Sequence, residues 1–211
     1  YELNEKQNLR LGASKTYTLP QFKERAMFLY EEVNEVKQGN KDLYASDNYN
    51  ADLKWEIFPS SDEIISIGGF GKYIQNPINE VTISSSTNDI SFINTGNYGT
   101  VYGIEAEAKV LLYKEDNTAS KKLTAGFNGS LLKSNQELDS QKVQKETTYD
   151  VVFTNKNSGF TGASNYLLNL DLSFFQEWNN KESNFTGTIA YTLFSDRIYA
   201  LGTNDRGDLV D

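Results

Sequence analysis

The sequence predicts an all-β protein, an antiparallel up-and-down meander of about seven long strands that forms part of a transmembrane β-barrel. Three observations lead to this fold class. Apolar and polar residues alternate along most of the chain, as they do in strands whose two faces meet different surroundings. Tyr and Phe, which suit pleated surfaces, number 13 and 12, whereas Pro, which interrupts strands, numbers 3. Short and long connections follow one another in turn, as in membrane barrels.

The predicted strands begin near the start of the chain. The first, near residues 8–16, places Leu9, Leu11 and Ala13 on one side of the strand. The clearest alternation lies at residues 102–112, where every even position is apolar and several odd positions are charged. A helix would mix these two sets around its circumference, so the pattern favours a strand with one apolar and one charged face. The remaining strands are predicted at residues 49–58, 65–73, 123–131, 168–178 and 185–193.

One segment breaks the β pattern. Phe22, Ala26 and Leu29 recur at helical spacing, and Pro20 suits a first helical turn. We therefore expect a short helix near residues 20–36, inside a long connection.

The predicted connections alternate in length. Short ones lie at residues 58–63, 113–121 and 178–183, and long ones at 17–48, 74–97, 134–164 and from 196 onward. Membrane barrels have short periplasmic turns and long extracellular loops. Aromatic residues lie where strands meet the short turns, as in the girdles at the membrane interfaces: Phe58, Tyr113, Trp178 and Phe185.

Composition excludes several classes of function. The 20 basic and 29 acidic residues give a net charge of −9, which disfavours a broad nucleic-acid-binding face. The chain has no Cys and no His, so thiolate chemistry, a Ser-His-Asp triad and the usual transition-metal sites are excluded.

Alternation alone also fits a soluble β-sandwich or an open sheet packed on a core. Three features favour the membrane barrel. The predicted strands approach the 9–11 residues that a membrane strand needs, the connection lengths alternate, and the polar faces carry Glu, Lys and Asp, which suits a wet lumen. The alternative is a soluble surface or periplasmic β-sheet domain that binds glycan or protein. A passive porin-like channel is a third interpretation.

Seven short segments, taken in order, resemble the barrel of TonB-dependent outer-membrane receptors of the Bacteroidetes type. Their succession along almost the whole chain carries the resemblance, since each segment alone is weak. They lie at residues 15–24 (KTYTLPQFKE), 39–43 (GNKDL), 50–59 (NADLKWEIFP), 65–79 (ISIGGFGKYIQNPIN), 101–107 (VYGIEAE), 159–169 (GFTGASNYLLN) and 196–202 (DRIYALG).

The resemblance implies energised import of a scarce nutrient across the bacterial outer membrane, with no enzyme activity, no catalytic residue, no metal site and no cofactor. Family substrates include siderophores, cobalamin, haem and oligosaccharides, and the partners are the receptor's own plug domain, a TonB-type energy transducer and outer-membrane lipid. Residues 1–211 would then be a partial barrel segment from the C-terminal region, without the plug domain and the terminal strands. An isolated piece would expose its apolar face and its strand edges, so we expect it to self-associate.

The resemblance also implies two sets of candidate site residues. Charged residues of the strands would face the lumen, where contact with the plug and water is favoured over contact with substrate: Lys54, Glu56, Glu105, Glu107, Lys109 and Asp171. Aromatic residues of the long connections would contact ligand, with loop packing or a girdle role as the more ordinary alternative: Tyr44, Phe92, Tyr149, Phe153, Phe160 and Tyr199.

Overall fold

A computed structural model of the chain describes residues 2–31, 35–85, 89–116, 120–178 and 182–211. In chain order the strands are β1 (Glu2–Asn4), β2 (Gln7–Thr18), β3 (Leu29–Glu31), β4 (Val36–Gln38), β5 (Ser46–Ile57), β6 (Ile64–Gln75), β7 (Ile78–Thr82), β8 (Ile90–Asn94), β9 (Tyr98–Asp116), β10 (Ser120–Glu137), β11 (Asn157–Ser158), β12 (Tyr166–Trp178), β13 (Ser183–Phe194), β14 (Ile198–Ala200) and β15 (Leu209–Val210). Within these ranges the helices are α1 (Phe22–Arg25) and α2 (Ser140–Glu146).

The long strands form one antiparallel sheet. Its order is β1-β2-β5-β6-β9-β10-β12-β13, so each strand pairs with the next long strand along the chain, and β11 adds to one end of β10. Alternating side chains let each strand present one apolar and one polar face without a break in the ladder. The predicted all-β antiparallel meander of long strands is confirmed.

The connections divide the sheet into a turn end and a loop end. At the turn end, residues 58–63 join β5 to β6, residues 117–119 join β9 to β10, and residues 179–182 join β12 to β13. Residues 117–119 and 179–181, within two of the predicted short turns, lie outside the described residues. The long connections meet at the loop end, as predicted, and we call them together the loop body: residues 19–45, 76–97, 138–165 and 195–211.

The predicted helix near 20–36 is confirmed only over one turn. Helix α1 begins after Gln21, whose backbone N–H donates to Glu24 Oε2 at 2.7 Å, and the chain is already extended at Ala26. The stretch beyond is strand instead, because β3 pairs with β4 and β4 pairs in parallel with β8. Residues 32–34 of the predicted helix lie outside the described residues. Neither described helix has the length and hydrophobicity that a membrane span requires.

The predicted alternation of residues 102–112 ends one step early. Leu111 pairs with Thr124 and Tyr113 pairs with Leu123, so Leu112 has no partner in β10 and forms a β-bulge. A bulge inserts one extra residue and resets the alternation. The even-numbered apolar set therefore ends at Val110, and Tyr113 takes the side of the sheet that Leu123 occupies.

The packed core lies in the loop body and not against the sheet. Its central residues come from several connections and are fully or almost fully buried: Val81, Ile83, Ile93, Leu138, Val143, Val151, Phe153 and Leu201. β7 and β8 supply one layer, and the segment around β14 crosses it, since Leu201 donates its N–H to the Glu80 carbonyl at 2.9 Å. The large apolar side chains of the sheet are exposed by contrast.

Candidate functional site

The sheet has one face that is apolar from strand to strand. Antiparallel register aligns Leu53 with Gly69, Ile104 and Leu131 in one row across four strands. We call this side the apolar face. Its side chains are exposed, with Leu11 of β2 at 82% and many others above two fifths: Leu53, Trp55, Ile67, Tyr102, Ile104, Leu131, Leu170, Leu172, Phe185, Ile189 and Tyr191. An apolar sheet of this extent suits contact with lipid.

Aromatic residues edge the apolar face near the loop end. Tyr49, Tyr73 and Tyr98 follow one another across neighbouring strands, with ring centroids 6.3 and 6.2 Å apart. The Lys15 ammonium lies 5.2 Å from the Tyr49 ring and 3.1 Å from Asp47 Oδ2. Tyr and charged residues at such a boundary are typical of a membrane interface. At the turn end the predicted girdle residues Tyr113, Trp178 and Phe185 are exposed, and Phe58 is half-buried.

The opposite face is charged, and its charges are paired. Arg10 Nε lies 2.7 Å from Glu56 Oε2, and Lys54 Nζ lies 3.5 Å from both Glu56 Oε1 and Glu107 Oε2. Because Glu56 is only 5% exposed, its two cations supply the counter-charge that a buried carboxylate requires. This polar face contains the predicted residues Lys54, Glu56 and Glu107 in one ion-pair chain.

The other predicted lumen residues also lie on the polar face. Glu105 lines a cleft of about 250 Å³ with Asp52 and Lys54, and it has no polar partner among the described residues. Lys109 and Asp171 lie on either side of Gly126. The Asp171 carboxylate covers Gly126 so closely that a Cβ there would collide with it. All six candidates share this face, and their lining of a lumen stays a prediction.

Most of the predicted loop aromatics pack inside the loop body. Phe92 and Phe153 are buried. Tyr149 packs against the core and donates from its hydroxyl to the Gly39 carbonyl at 3.2 Å, while Phe160 covers Gly99. Tyr44 donates to Glu146 Oε2 at 2.8 Å. Burial, together with this hydrogen bond to a carboxylate, raises the pKa of Tyr44 well above its usual range. These contacts favour the packing role for five of the six.

Tyr199 differs from the other loop aromatics. Its hydroxyl is buried and is the only buried side-chain polar atom without a hydrogen-bond partner among the described residues. An unsatisfied buried hydroxyl costs about 1–3 kcal/mol. The residue lines a cleft of about 250 Å³ together with Glu80, Thr161, Gly162 and Arg197. The side chain of Tyr199 therefore borders the cleft, and a ligand hydroxyl or amide would have to open the cleft slightly to reach the buried hydroxyl.

Charges around Tyr199 are balanced locally. Lys37 Nζ lies 4.9 Å from the centre of the Tyr199 ring and 3.0 Å from both Glu35 Oε1 and Glu80 Oε2. Burial lowers the pKa of Lys37, but the hydrogen bonds to Glu80 and Glu35 outweigh it, so the pKa is raised. Arg197 donates from Nε and a terminal nitrogen to both oxygens of Asp211 at 3.0 Å. The cleft therefore has no free cation among its described lining residues to attract an anion.

Sequence reasoning missed a buried polar network that joins the sheet to the loop body. Gln136, fully buried at the loop end of β10, exchanges side-chain hydrogen bonds with Asn79 at 2.7 and 3.1 Å and donates to the Gly159 carbonyl at 2.8 Å. Thr95 donates from its hydroxyl to Gln136 Oε1 at 3.0 Å. The participants are far apart in sequence, and ordinary Asn, Gln and Thr residues give no local signal of such a network.

The chain was compared with protein-family models and with solved structures. A family model described as TonB dependent receptor-like, beta-barrel, matches residues 1–208. Two mutant structures of the ferric enterobactin receptor from Pseudomonas aeruginosa are similar. One is 15% identical, with a TM-score of 0.49, covering 94% of this chain and 27% of that one. The other is 16% identical, with a TM-score of 0.46, covering 91% and 30%. The chain thus spans under a third of their length, and no curated protein matches it.

Proposed function

This chain belongs to the TonB-dependent receptor β-barrel family, and we propose that it is barrel wall and extracellular loops of a receptor that imports a scarce nutrient by energised transport. Barrels of this family are outer-membrane transport proteins and not enzymes. In the proposal, residues 1–211 are a partial barrel segment, and the rest of the receptor supplies the plug domain and the terminal strands. The Bacteroidetes type stays a prediction.

One observation carries the proposal: the sheet separates an apolar face from a charged face, and every long connection gathers at one end. A membrane barrel needs lipid contact outside, water inside and loops on the extracellular side. A soluble surface or periplasmic domain would leave the apolar face, including Leu11, Ile104 and Ile189, in contact with water. That alternative is not favoured.

On the polar face, the charged residues are proposed to contact the plug and lumenal water. The side chains of this face already form a series of ion pairs, which runs from Arg10 to Glu56, Lys54 and Glu107. A substrate would have to break these ion pairs to bind there. Glu105 and Asp52 are the groups most available to a basic side chain of the plug. Direct substrate contact by this cluster is the less favoured role.

Substrate contact is proposed at the Tyr199 cleft of the loop body. The loop body contains 9 Lys and Arg residues against 14 Asp and Glu residues, a net charge of −5. A surface of this sign repels a multiply charged anion. Among the family's siderophore, cobalamin, haem and oligosaccharide substrates, an uncharged one such as an oligosaccharide therefore suits this cleft best.

The transport proposal is tested with the full-length receptor in cells that have or lack the TonB-type transducer. We expect surface binding of the nutrient in both strains, and uptake only in the strain with the transducer. Uptake that is equal in both strains would indicate a passive channel instead. Recovery of the receptor in the soluble fraction would support the soluble-domain alternative.

The cleft is tested by Tyr199→Phe, which removes only the orphan hydroxyl. We expect about a tenfold loss of affinity for the imported nutrient, the size of one neutral hydrogen bond, with no loss of stability. Tyr149→Phe is the matched control, because that hydroxyl serves the Gly39 carbonyl. Equal affinity in Tyr199→Phe and wild type would remove Tyr199 from the substrate site.

A further inference from the structure

The apolar face is not uniformly filled, because small residues leave a groove in it. One depression of about 350 Å³ lies between Ile67, Phe127 and Leu193, with Ala106 and Gly129 in its lining. Ala106 and Gly129 face each other in the register and bring only a single methyl group to the space that the flanking residues enclose, with the Phe127 ring reaching over Gly129 from one side. The groove is therefore built into the sequence of two paired strands.

A second depression continues the first toward the loop end. It has a volume of about 570 Å³, and it shares Ile104 and Leu131 with the first. Gly69 lies in its lining, and Tyr102 and Lys133 lie at its loop end. From Phe127 to Lys133 the groove follows β10 over six residue-to-residue steps, about 20 Å at the rise of a strand. That length exceeds half of a hydrocarbon core of about 30 Å, so one acyl chain could lie along it.

The end of the groove carries a free cation. Lys133 pairs with Tyr102 in the register and is exposed on the apolar face. It has no ion pair among the described residues, unlike Lys15 of β2 on the same face, which pairs with Asp47 at 3.1 Å. The nearest acidic residue along β10 on that side, Glu137, already accepts from the N–H and the side chain of Asn97.

We propose that this groove is a specific site for an anionic, phosphate-bearing lipid of the outer leaflet. One acyl chain lies between Ile104, Ala106, Gly129 and Leu131, and the phosphate meets Lys133 beside Tyr102. The proposal rests on the proposed function, since it places the apolar face in the outer membrane and the loop end outside.

Charge selects this occupant. A second copy of the chain, or an apolar segment of another protein, would bury the Lys133 ammonium without a counter-charge, which is costly. A lipid phosphate supplies that charge at the depth where Lys133 lies, and a basic residue near a membrane surface attracts anionic lipid with about 1 kcal/mol.

The test uses the full-length receptor purified in neutral detergent, with phosphatidylglycerol as the anionic probe and phosphatidylcholine as the zwitterionic one. Native mass spectrometry counts the lipids that stay bound. We expect wild type to retain phosphatidylglycerol in preference to phosphatidylcholine. Lys133→Ala should lower that preference about fivefold, the attraction that one basic residue exerts on an anionic lipid. Lys145→Ala, an exposed lysine of α2, is the control and should change nothing. An unchanged preference in Lys133→Ala would overturn the charge assignment.

The groove itself is tested by Ala106→Leu, which fills it without adding charge. We expect fewer retained lipids of both kinds, whereas Ala13→Leu, on the apolar face outside the groove, should retain as many as wild type. Equal retention in Ala106→Leu would overturn the proposal. Transducer-dependent uptake, measured on the same variants, keeps the two ideas apart. Its presence with no lipid preference refutes the lipid site alone, and its absence in wild type refutes the transport proposal.

Discussion

The sheet and the loop body place their apolar residues in opposite ways. In the loop body Val81, Ile93 and Leu201 are fully buried against one another, as in a water-soluble domain. In the sheet the apolar residues point outward, with Leu11 and Ile189 among the most exposed side chains. One chain can follow two rules of burial in this way when, as proposed, its two regions meet different solvents, water around the loop body and lipid along the apolar face.

Polar groups obey the same contrast. At the base of the loop body, Asn79, Thr95 and Gln136 satisfy one another in a buried network that joins two connections, residues 76–97 and 138–165, to the end of β10. On the sheet, by contrast, the polar groups form an exposed face, where Arg10 and Lys54 form ion pairs with Glu56. Hydrogen bonds therefore join the loop body to the sheet, whereas the apolar face has no comparable polar network among the described residues.

The largest expected effect comes from the loop core. Ile93→Ala should destabilise the loop body by about 2–5 kcal/mol, since a fully buried side chain leaves a cavity. Hydrogen exchange of loop amides in the detergent-solubilised receptor measures it. The matched change on the apolar face, Ile104→Ala, should leave loop exchange unaltered. If both variants loosened the loops equally, the two regions would not be separate.

A charge on the apolar face should have the next effect. Leu170→Arg lies near the middle of β12 and should cost about 2–4 kcal/mol in a bilayer, the range for Arg at the membrane midplane. Its neighbour Asn169→Arg, on the polar face, should cost much less. Unfolding in lipid vesicles against denaturant measures both. Similar costs at the two positions would contradict the assignment of the faces.

Removal of the joining network should cost about 1–3 kcal/mol. Gln136→Leu keeps the side-chain volume but leaves the Asn79 amide and the Gly159 carbonyl without their partner. Thermal unfolding of the solubilised receptor reports the loss. The control is Asn135→Leu, whose exposed side chain points to the other face and should stay within about 0.5 kcal/mol.

The smallest expected effect is a pH dependence of the stability of the loop body. The pKa of Tyr44 is raised by burial and by its bond to Glu146, so its contribution to stability is complete below the unfolded-state value near 10 and is lost as pH rises beyond it. Burial lowers the pKa of Lys142, so this lysine adds stability as pH rises toward its unfolded-state value of 10.5 and partly offsets the loss at Tyr44. The midpoint temperature of thermal unfolding should therefore fall more steeply from pH 8 to pH 11 in wild type than in Tyr44→Phe. Parallel curves would contradict the role of Tyr44.

The sequence was sufficient to predict the wall of the barrel, because alternation is a local signal repeated over long strands. It was insufficient for the loop body. Strands such as β4 and β8 are three to five residues long, and they form through contacts between distant segments, as when Lys37 pairs with Ile90. Helix α2 has one buried apolar residue, Val143, so no helical periodicity revealed it, although Asp139 caps it.

The candidate site was predictable to a similar degree. The polar-face residues could be predicted because Lys54, Glu105 and Glu107 fall at alternate positions of clear strands. The loop aromatics could be chosen only by residue type. The structure then separated Phe92 and Phe153, which pack, from Tyr199, whose buried hydroxyl has no hydrogen-bond partner in the described part of the chain. A buried orphan group is a property of the folded chain, and no spacing in the sequence encodes it.

In the proposed barrel, residues at alternate positions of each long strand face lipid, and the residues between them face water. Single spin labels on Cys placed along β9 of the full-length receptor in vesicles test it directly, since this segment has no Cys of its own. We expect high oxygen accessibility at positions 104, 106 and 108, and high accessibility to a water-soluble nickel complex at positions 105, 107 and 109. Equal exposure to the nickel complex at all six positions would contradict it.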